Sequence, residues 1–381
     1  MELNKIKVAI IYRYIPQYRQ CFYEMLREKL DKIGIELVLI YGQPSQKLAL
    51  KKDSIDLHWA RKVRNLYIKI GRWEFCWQPV LPHIRVVDLI IVESANKLLV
   101  NYIFLLLNTL KIKKIAFWGH GKNFQAKKED RVSEWIKKIL TTKVHWWFVY
   151  NKLCAEVVKE AGFPFERISS VQNAIDTRNL TVTLQKLSPE ELYDARVNIN
   201  LFSDNIGIYS GGLYPAKRIF FLLESLHYIR KHVPDFEMIF IGDGVDAPLV
   251  KDAARNFSWI HYAGPKFNNE KVPFFAISKL LLIPGVVGLG ILDAFALETP
   301  LVTTNIYGHG PEIEYLENGV NGIMISDANN PQSYADYVVH LIRNPLEYNN
   351  LLENCRKSRE KYTIENMVEI FSNGIESALK Q

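Results

Sequence analysis

Short runs rich in β-branched and aromatic residues alternate with longer helical runs along most of the chain. The first such run, 8–12, is followed by a helical pattern over 18–32 and by a second strand-like run at 35–41. A second cycle of the same kind begins at 206–209 and has a helical pattern over 217–231. Parallel strands need a crossover that is usually a helix, so this alternation predicts α/β layers built on parallel sheets.

The length and the two cycles predict two doubly wound domains in series. At roughly 150 residues per domain, a chain of 381 residues has two domains as the default. We predict an N-terminal domain over 1–176, a linker with a short helix over 177–204 and a C-terminal domain over 205–360. The last segment, 361–381, is predicted to be a C-terminal helix that packs back toward the N-terminal domain.

Charge is distributed unevenly between the two predicted halves. Residues 1–176 hold 30 Lys or Arg and 17 Asp or Glu, a balance of +13, whereas the remaining 18 and 24 give −6. Such an asymmetry indicates that the two halves face different partners.

The segment 59–77 concentrates basic and aromatic side chains. This mixture suits an anionic membrane surface, where each basic residue contributes about 1 kcal/mol. Nucleic acid would use the same elements, but no nucleic-acid motif accompanies them and we expect no such partner. A solvated charged face over a small core is the third interpretation.

Several site classes are excluded by missing motifs. The chain has no G-x-x-x-x-G-K-S/T phosphate loop, no H-E-x-x-H zinc helix and no G-x-S-x-G nucleophile elbow. Its four cysteines lack C-x-x-C spacing, so a zinc knuckle or redox dithiol is not expected. The longest apolar run, 98–110, is shorter than the about 20 residues that a membrane span needs. We expect no cofactor, no metal and a cytoplasmic protein, peripheral at the inner face of the cytoplasmic membrane.

The loop 210–218 leaves a predicted strand and opens a predicted helix. Gly211 and Gly212 would let backbone amides approach a ligand closely, and the helix N-terminus favours an anion. Lys217 would add a positive charge suited to phosphate. A tight turn with a solvated Lys–Arg pair is the competing interpretation.

Two further loops of the C-terminal half have similar features. In 288–293, amides before a helix are followed by Asp293, which could accept hydrogen bonds from a ribose diol or merely complement the helix dipole. In 308–312, Gly310 makes another amide nest and Glu312 follows in the first turn. His309 of the same loop is expected to have no role.

Two loops of the basic half carry candidate side chains. His120 stands between two glycines at a predicted strand end, and Asn123 belongs to the same loop. An exposed histidine of this kind can bind a substrate hydroxyl or carry a proton. The loop 12–19 contains Arg13 and Tyr18, which can hold sugars or phosphates, although a surface turn before a helix would look the same.

Taken in order, these loops resemble glycosyltransferase family 4, whose members are retaining enzymes of the GT-B fold. The turn 173–176 is similar to the family's N-G-x-D turn, 211–217 to its G-R-L-x-x-x-K-G loop and 240–244 to its I-G-x-G turn. Residues 298–302 and 312–322 resemble its G-T-P-V-V and P-E-x-x-x-x-G-x-x-G stretches. The resemblance implies a GT-B protein in which two Rossmann-like domains face a central cleft.

The resemblance also implies roles for individual residues. We predict three catalytic residues: Lys217 at the leaving diphosphate, His120 beside the donor sugar and acceptor, and Asp293 at the ribose. The expected donor-binding residues are Gly211, Gly212, Arg218, Gly288, Leu289, Gly290, Gly310 and Glu312. The expected acceptor-binding residues are Arg13, Tyr18 and Asn123.

Two positions depart from the family pattern. Gly212 stands where the family has an arginine, and Gly285 stands where it has the first acid of its E-x-x-x-x-x-x-x-E motif. Arg218 occupies the family's glycine position, and we hypothesise that it compensates.

These features predict a glycosyltransferase that uses a nucleotide diphosphate sugar, UDP in preference to GDP. It would transfer a hexose, with retention, to a growing lipid-linked glycan in bacterial surface polysaccharide synthesis such as that of O-antigen. The alternative is a non-catalytic GT-B partner subunit that binds a nucleotide sugar or glycan, an alternative that Gly212 and Gly285 keep open.

Overall fold

The chain folds into two compact units. The computed structural model describes residues 5–49, 53–71, 73–121 and 140–381. The first unit comprises Met1–Asp176 together with Ile364–Gln381, and the second comprises Thr177–Thr363. The C-terminal segment therefore belongs to the first unit, and 177–204 belongs to the second.

Each unit is built on one parallel sheet. The strands of the first unit are β1 (Ile6–Tyr12), β2 (Ile15–Pro16), β3 (Ile35–Tyr41), β4 (Ser54–Ile55), β5 (Arg61–Lys62), β6 (Leu66–Ile70), β7 (Trp73–Trp77), β8 (Leu89–Glu93), β9 (Lys114–Gly119), β10 (Trp146–Val149) and β11 (Ile168–Ser170). Those of the second are β12 (Ile206–Ser210), β13 (Glu237–Ile241), β14 (Ile260–Gly264), β15 (Leu280–Leu282), β16 (Leu301–Thr304) and β17 (Gly322–Ile325).

Helices cover the sheets and connect their strands. In chain order they are α1 (Gln20–Lys32), α2 (Gln46–Ala49), α3 (Val100–Thr109), α4 (Lys152–Glu160), α5 (Arg178–Lys186), α6 (Pro189–Val197), α7 (Ile219–His232), α8 (Ala247–Asn256), α9 (Val272–Ala276), α10 (Gly290–Ala296), α11 (Pro331–Arg343), α12 (Pro345–Lys361) and α13 (Ile364–Lys380). Among the described residues, no helix is long and apolar enough to cross a membrane.

The strand orders show where the order of strands reverses in each sheet. Over the described ranges the first sheet runs β11-β10-β9-β8-β1-β3-β5 and the second β14-β13-β12-β15-β16-β17. The central pairs β1–β8 and β12–β15 are both parallel. Loops that leave these neighbouring strands meet at the carboxyl edge, which is the usual ligand position in doubly wound sheets.

Both faces of the first sheet are buried, which explains why its strands are almost continuously apolar. On β1, Val8 and Ile10 face one core, whereas Ala9 and Ile11 face the other. Helix α13 completes the first of these cores, and its Phe371 ring stacks on a ring of β10 at 4.4 Å between centroids. The final helix is thus an integral part of the first unit.

The segment 177–204, predicted as a linker with a short helix, contains two helices. Helix α6 begins with a capping box in which Ser188 and Glu191 bond each other's backbone amides. Pro189 occupies its first position, where its missing N–H is not needed. Both α5 and α6 pack against α9 of the second unit, so the polar segment is folded onto that unit.

Candidate functional sites at the two carboxyl edges

Lys217 lies at the carboxyl edge of the second sheet. It ends a 3-10 turn, Pro215–Lys217, so the predicted helix begins later, at Ile219. Its ammonium group donates a hydrogen bond to the Val286 carbonyl at 2.5 Å, in the loop after β15. Burial lowers the pKa of Lys217 to about 8. Among the described residues no carboxylate forms an ion pair with this amine, so its charge rests against a neutral acceptor.

Gly285 permits the close approach of the two loops. A Cβ atom added here would lie under 3.0 Å from the Ala216 oxygen and from backbone carbons of Lys217. The two loops are also joined by a hydrogen bond from the Val286 amide to the Ala216 carbonyl, at 2.9 Å. A side chain at this position would require a shift of the backbone at 216–217.

His309 joins two loops of the same edge. Its Nδ1 accepts a hydrogen bond from the Val287 amide at 3.0 Å, and its Nε2 lies 2.9 Å from the Thr304 carbonyl. These partners define a neutral ring with the proton on Nε2. Burial lowers the pKa of His309, and nearby Lys217 adds to the shift. The histidine therefore holds loop backbone in place.

The Arg218 side chain binds acceptors other than that of Lys217. Its backbone is left-handed, with φ of 58°. Its guanidinium donates to Thr304 Oγ1 at 3.1 Å and to the Ala328 carbonyl at 2.7 Å, and it lies 3.3 Å from Asn329 Oδ1. Arg218 would have to leave these acceptors before it could contact a ligand.

Two predicted amide donors are already used by the protein. The Gly211 amide donates to the Ile241 carbonyl at 3.0 Å, and the Gly310 amide donates to the Val287 carbonyl at 2.7 Å. These two amides would have to leave their present acceptors before they could bind a donor. Loop-to-loop pairing has taken the hydrogen bonds that a ligand would need.

Glu312 lies beside the beginning of α10. The residue is 5% exposed and belongs to the 3-10 turn Pro311–Tyr315, where an α-helical first turn was predicted. A Cβ added to Gly288 would be 3.9 Å from its Oε2, and one added to Gly310 would be under 3.0 Å away. The structure thus brings Glu312 and the 288–290 segment together at the carboxyl edge of the second sheet.

Asp293 forms an ion pair that the sequence did not indicate. It lies in the first turn of α10, and its Oδ2 is 2.6 Å from Lys271 Nζ. The two side chains are only 15% and 14% exposed, and Asp293 Oδ1 is buried without a hydrogen-bond partner. Lys271 therefore neutralises the acid that the resemblance assigns to the ribose.

Arg13 is neutralised at the carboxyl edge of the first sheet. Its guanidinium binds Glu93, at the end of β8, through two hydrogen bonds, and the Nε–Oε2 distance is 2.8 Å. Although burial disfavours the charge, Glu93 raises the pKa of Arg13 above its ordinary value. The arginine predicted to contact the acceptor thus already has a bidentate carboxylate partner.

Arg19 was not among the predicted site residues, yet it lies at the end of the same loop, in the 3-10 turn Gln17–Arg19. It is 1% exposed and donates to Asn173 Oδ1, with Met367 Sδ at 3.5 Å from its other nitrogen. Its guanidinium lies 5.0 Å from the ring centre of Trp118. Tyr18, by contrast, is 39% exposed and is the accessible member of this loop. Arg19 therefore connects the loop after β1 to Asn173 and to Met367 of the C-terminal helix.

His120 is half-buried, whereas the sequence predicted an exposed ring. Its ring centre is 4.6 Å from that of Tyr150, and Cys154 Sγ is 4.0 Å from its Nδ1. The flanking Gly119 approaches Ser94, where an added Cβ would be 3.1 Å away. This packing orients the imidazole at the edge of β9. Asn123 lies outside the described residues.

Solved structures share this two-unit arrangement of sheets. A glycosyltransferase from Rickettsia africae is 15% identical, covers 100% of both chains and has a TM-score of 0.72. HepE of Anabaena in complex with UDP is 14% identical, covers 98% of this chain and 100% of its own, and has a TM-score of 0.71. A HepE structure with UDP-glucose has a TM-score of 0.66. The fold is GT-B.

Sequence comparisons point the same way. Residues 204–344 match the family model described as Glycosyl transferases group 1. An uncharacterized glycosyltransferase of Haemophilus influenzae is 23% identical over 340 residues, which are 88% of this chain and 84% of that protein. Fold and family match together support a glycosyltransferase of the GT-B type, and the predicted α/β class with two doubly wound domains is confirmed.

The predicted site residues of this GT-B chain fall into two groups. In the second unit, Lys217, the loop after β15 and the residues around Glu312 converge on one edge. In the first unit, Arg13, Tyr18 and His120 occupy loops at the carboxyl ends of β1 and β9. Glu93, the partner of Arg13, and Lys271, the partner of Asp293, were not predicted. Each is distant in sequence from the residue that it pairs with, and no local pattern marks it.

Proposed function

We propose that this protein transfers a hexose from a nucleotide diphosphate sugar to a growing glycan, with retention of anomeric configuration as in glycosyltransferase family 4. The observation that carries the proposal is Lys217, a half-buried cation that rests on a carbonyl at the switch point of the second sheet. A diphosphate would supply the counter-charge that the amine lacks. UDP is preferred to GDP because HepE, similar in fold, is described in complexes with UDP and UDP-glucose.

In the proposed reaction, the bond between the anomeric carbon and the diphosphate oxygen breaks and a bond to the acceptor oxygen forms. Attack occurs on the face that the diphosphate leaves, and a phosphate oxygen takes the acceptor proton. Lys217 stabilises the charge that develops on the leaving group, a kind of electrostatic contribution worth about 10²–10³ in rate for one donor. His120 and Tyr18 would orient the acceptor, and Asp293 would contact the ribose through its unpartnered oxygen.

Arg218 tests how the donor is held without the family's arginine. If Arg218 compensates for Gly212, Arg218→Ala should weaken UDP binding by about tenfold. Arg218→Gly is the matched control, because it removes the same side chain and relieves the left-handed backbone. Equal, unchanged UDP affinity in both variants would reject the compensation hypothesis.

The acceptor is proposed to be a lipid-linked glycan of bacterial surface polysaccharide synthesis. The excess of basic residues in 1–176 supports a place at the inner face of the cytoplasmic membrane, next to anionic lipid. The protein would bind there peripherally.

A thermal-shift panel with UDP, GDP, ADP and their glucose forms tests the donor, since a ligand at 100 times its dissociation constant adds about 2.7 kcal/mol. Release of UDP from UDP-glucose then tests turnover, and the anomeric configuration of the product tests retention. An inverted product would reject the retaining mechanism.

A non-catalytic partner subunit is the second candidate. Gly285 favours it, because an acid at this position, expected from the family pattern, has no room. UDP binding without UDP release under any acceptor condition would select this candidate over the enzyme.

A further inference from the structure

The hairpin formed by β6 and β7 presents a continuous apolar face. Its antiparallel register pairs Ile68 with Phe75 and Ile70 with Trp73, and directly opposed residues share one face. We call this set the apolar face; its members are Leu66, Ile68, Ile70, Trp73, Phe75 and Trp77, of which Trp77 packs against the core of the first unit. Four of them are strongly exposed: Leu66 51%, Ile68 46%, Ile70 62% and Trp73 37%.

Hydrogen bonds of Tyr67 and Cys76, an opposed pair on the other face, fix the hairpin to the first unit. The Tyr67 hydroxyl donates to the Gln43 carbonyl at 2.8 Å. Cys76 is 3% exposed, its amide donates to the Lys97 carbonyl at 2.8 Å, and its carbonyl accepts from Leu99 at 2.9 Å. Since one face is tied down by these bonds, the exposure of the other is a fixed property of the fold.

The apolar face is unusual for a protein surface. Single exposed apolar residues are common, but contiguous patches mark interaction sites. Here the alternation of apolar and polar residues places the patch on a two-stranded sheet with no further strand over the described residues. The core of the first unit contacts this face at Trp77, whereas Leu66, Ile68, Ile70 and Trp73 stay exposed.

Charge around the hairpin indicates what covers the exposed part of this face. The sequence 61–77 contains five Lys or Arg and a single acid, and Lys62 is paired with Asp56 outside this range. Arg64 and Lys69 are exposed, and Lys97 Nζ lies 5.4 Å from the centre of the Trp73 ring. Lysine is depleted in protein–protein interfaces, whereas tryptophan and basic residues are both favoured where a bilayer meets water.

We propose that the β6–β7 hairpin is a membrane-insertion element. Its apolar face would enter the boundary between headgroups and acyl chains of an anionic bilayer, and the surrounding Lys and Arg would contact lipid phosphates. The proposal rests on the proposed function only for the location of the acceptor. It adds that apolar insertion through this hairpin, beyond general attraction of a basic domain, holds the protein on the membrane.

The test compares two double variants that change charge equally. Ile68→Glu with Ile70→Glu alters the apolar face, whereas Val86→Glu with Phe165→Glu alters residues of the same unit that are 72% and 54% exposed. Full-length proteins are sedimented with vesicles of equal phosphatidylglycerol and phosphatidylcholine, and with phosphatidylcholine alone. We expect wild type to bind the anionic vesicles, the hairpin variant to bind on the order of tenfold more weakly and the control to stay near wild type.

Three results would overturn the proposal. The first is that wild type fails to sediment with anionic vesicles, and the second is that the hairpin variant binds as wild type does. The third is an equal loss of affinity in both variants, which would indicate an effect of charge alone. Light scattering adds a fourth: a wild-type dimer that the hairpin variant dissociates would identify the apolar face as an interface between two copies. UDP binding without vesicles, expected to be equal in all proteins, reports separately on folding and on the proposed function.

Discussion

The switch points of the two sheets hold their cations in opposite ways. In the first unit, Arg13 after β1 is neutralised by Glu93 at the end of the adjacent β8. In the second unit, Lys217 after β12 donates to a carbonyl of the loop after the adjacent β15 and pairs with no carboxylate of the described residues. The same topology therefore yields a neutralised pair in one unit and an available charge in the other. Local pairing, and not the net charge of each half, decides where an anionic ligand can be bound.

The largest effect is expected from Lys217→Ala. Loss of the ammonium group on the Val286 carbonyl should lower UDP release by about 10²–10³-fold, because the leaving diphosphate loses its counter-charge. Lys251→Ala, an exposed lysine on α8 with the same charge change, is the control. Equal activities of the two variants would show that the charge of Lys217 does not act on the leaving diphosphate.

The pH dependence of UDP affinity tests whether the charge on Lys217 binds the diphosphate. Because burial lowers the pKa of Lys217 to about 8, the amine is charged below that pH and loses its proton as the pH rises through it. UDP affinity, measured by calorimetry from about pH 7 to about pH 9.5, should fall by up to about tenfold per unit above the pKa. In Lys217→Met the affinity should be weak and independent of pH. A flat wild-type profile would contradict the prediction.

Gly285→Ala tests the loop contact that positions the lysine. The added Cβ would meet the 216–217 backbone under 3.0 Å, so we expect a loss of about 1–3 kcal/mol in unfolding free energy, together with weaker UDP binding. Gly290→Ala is the control for the unfolding free energy, since its Cβ would meet Ile283 Cδ1 at 3.9 Å. If thermal unfolding were unchanged in Gly285→Ala, the close approach would not constrain the loop.

The smallest change in donor binding is expected from Arg13→Ala. Since Glu93 already neutralises this arginine, UDP affinity should stay as in wild type, while the unpaired carboxylate costs about 1–3 kcal/mol of stability. Combining it with Glu93→Gln should recover part of that loss in a double-mutant cycle. A clear fall in UDP affinity for Arg13→Ala alone would show that its charge is not neutralised.

Local patterns identified the elements of the fold more fully than they identified the site. The alternation of strand and helix signals suffices for two parallel sheets, because each crossover is a local feature of the chain. The ion pair between Lys271 and Asp293 is not local, since it joins a 3-10 turn to a helix beyond the intervening β15. The contact between Arg218 and Thr304 was not predicted for a related reason: the left-handed backbone at Arg218 is not marked by a glycine or asparagine.

The tight contact at Gly285 also has an evolutionary consequence. A side chain at this position requires a shift of a second segment, because even a methyl group collides with the backbone at 216–217. A substitution at 285 is therefore expected to be tolerated only together with a compensating change at 216–217, so the two loops constrain each other's sequence.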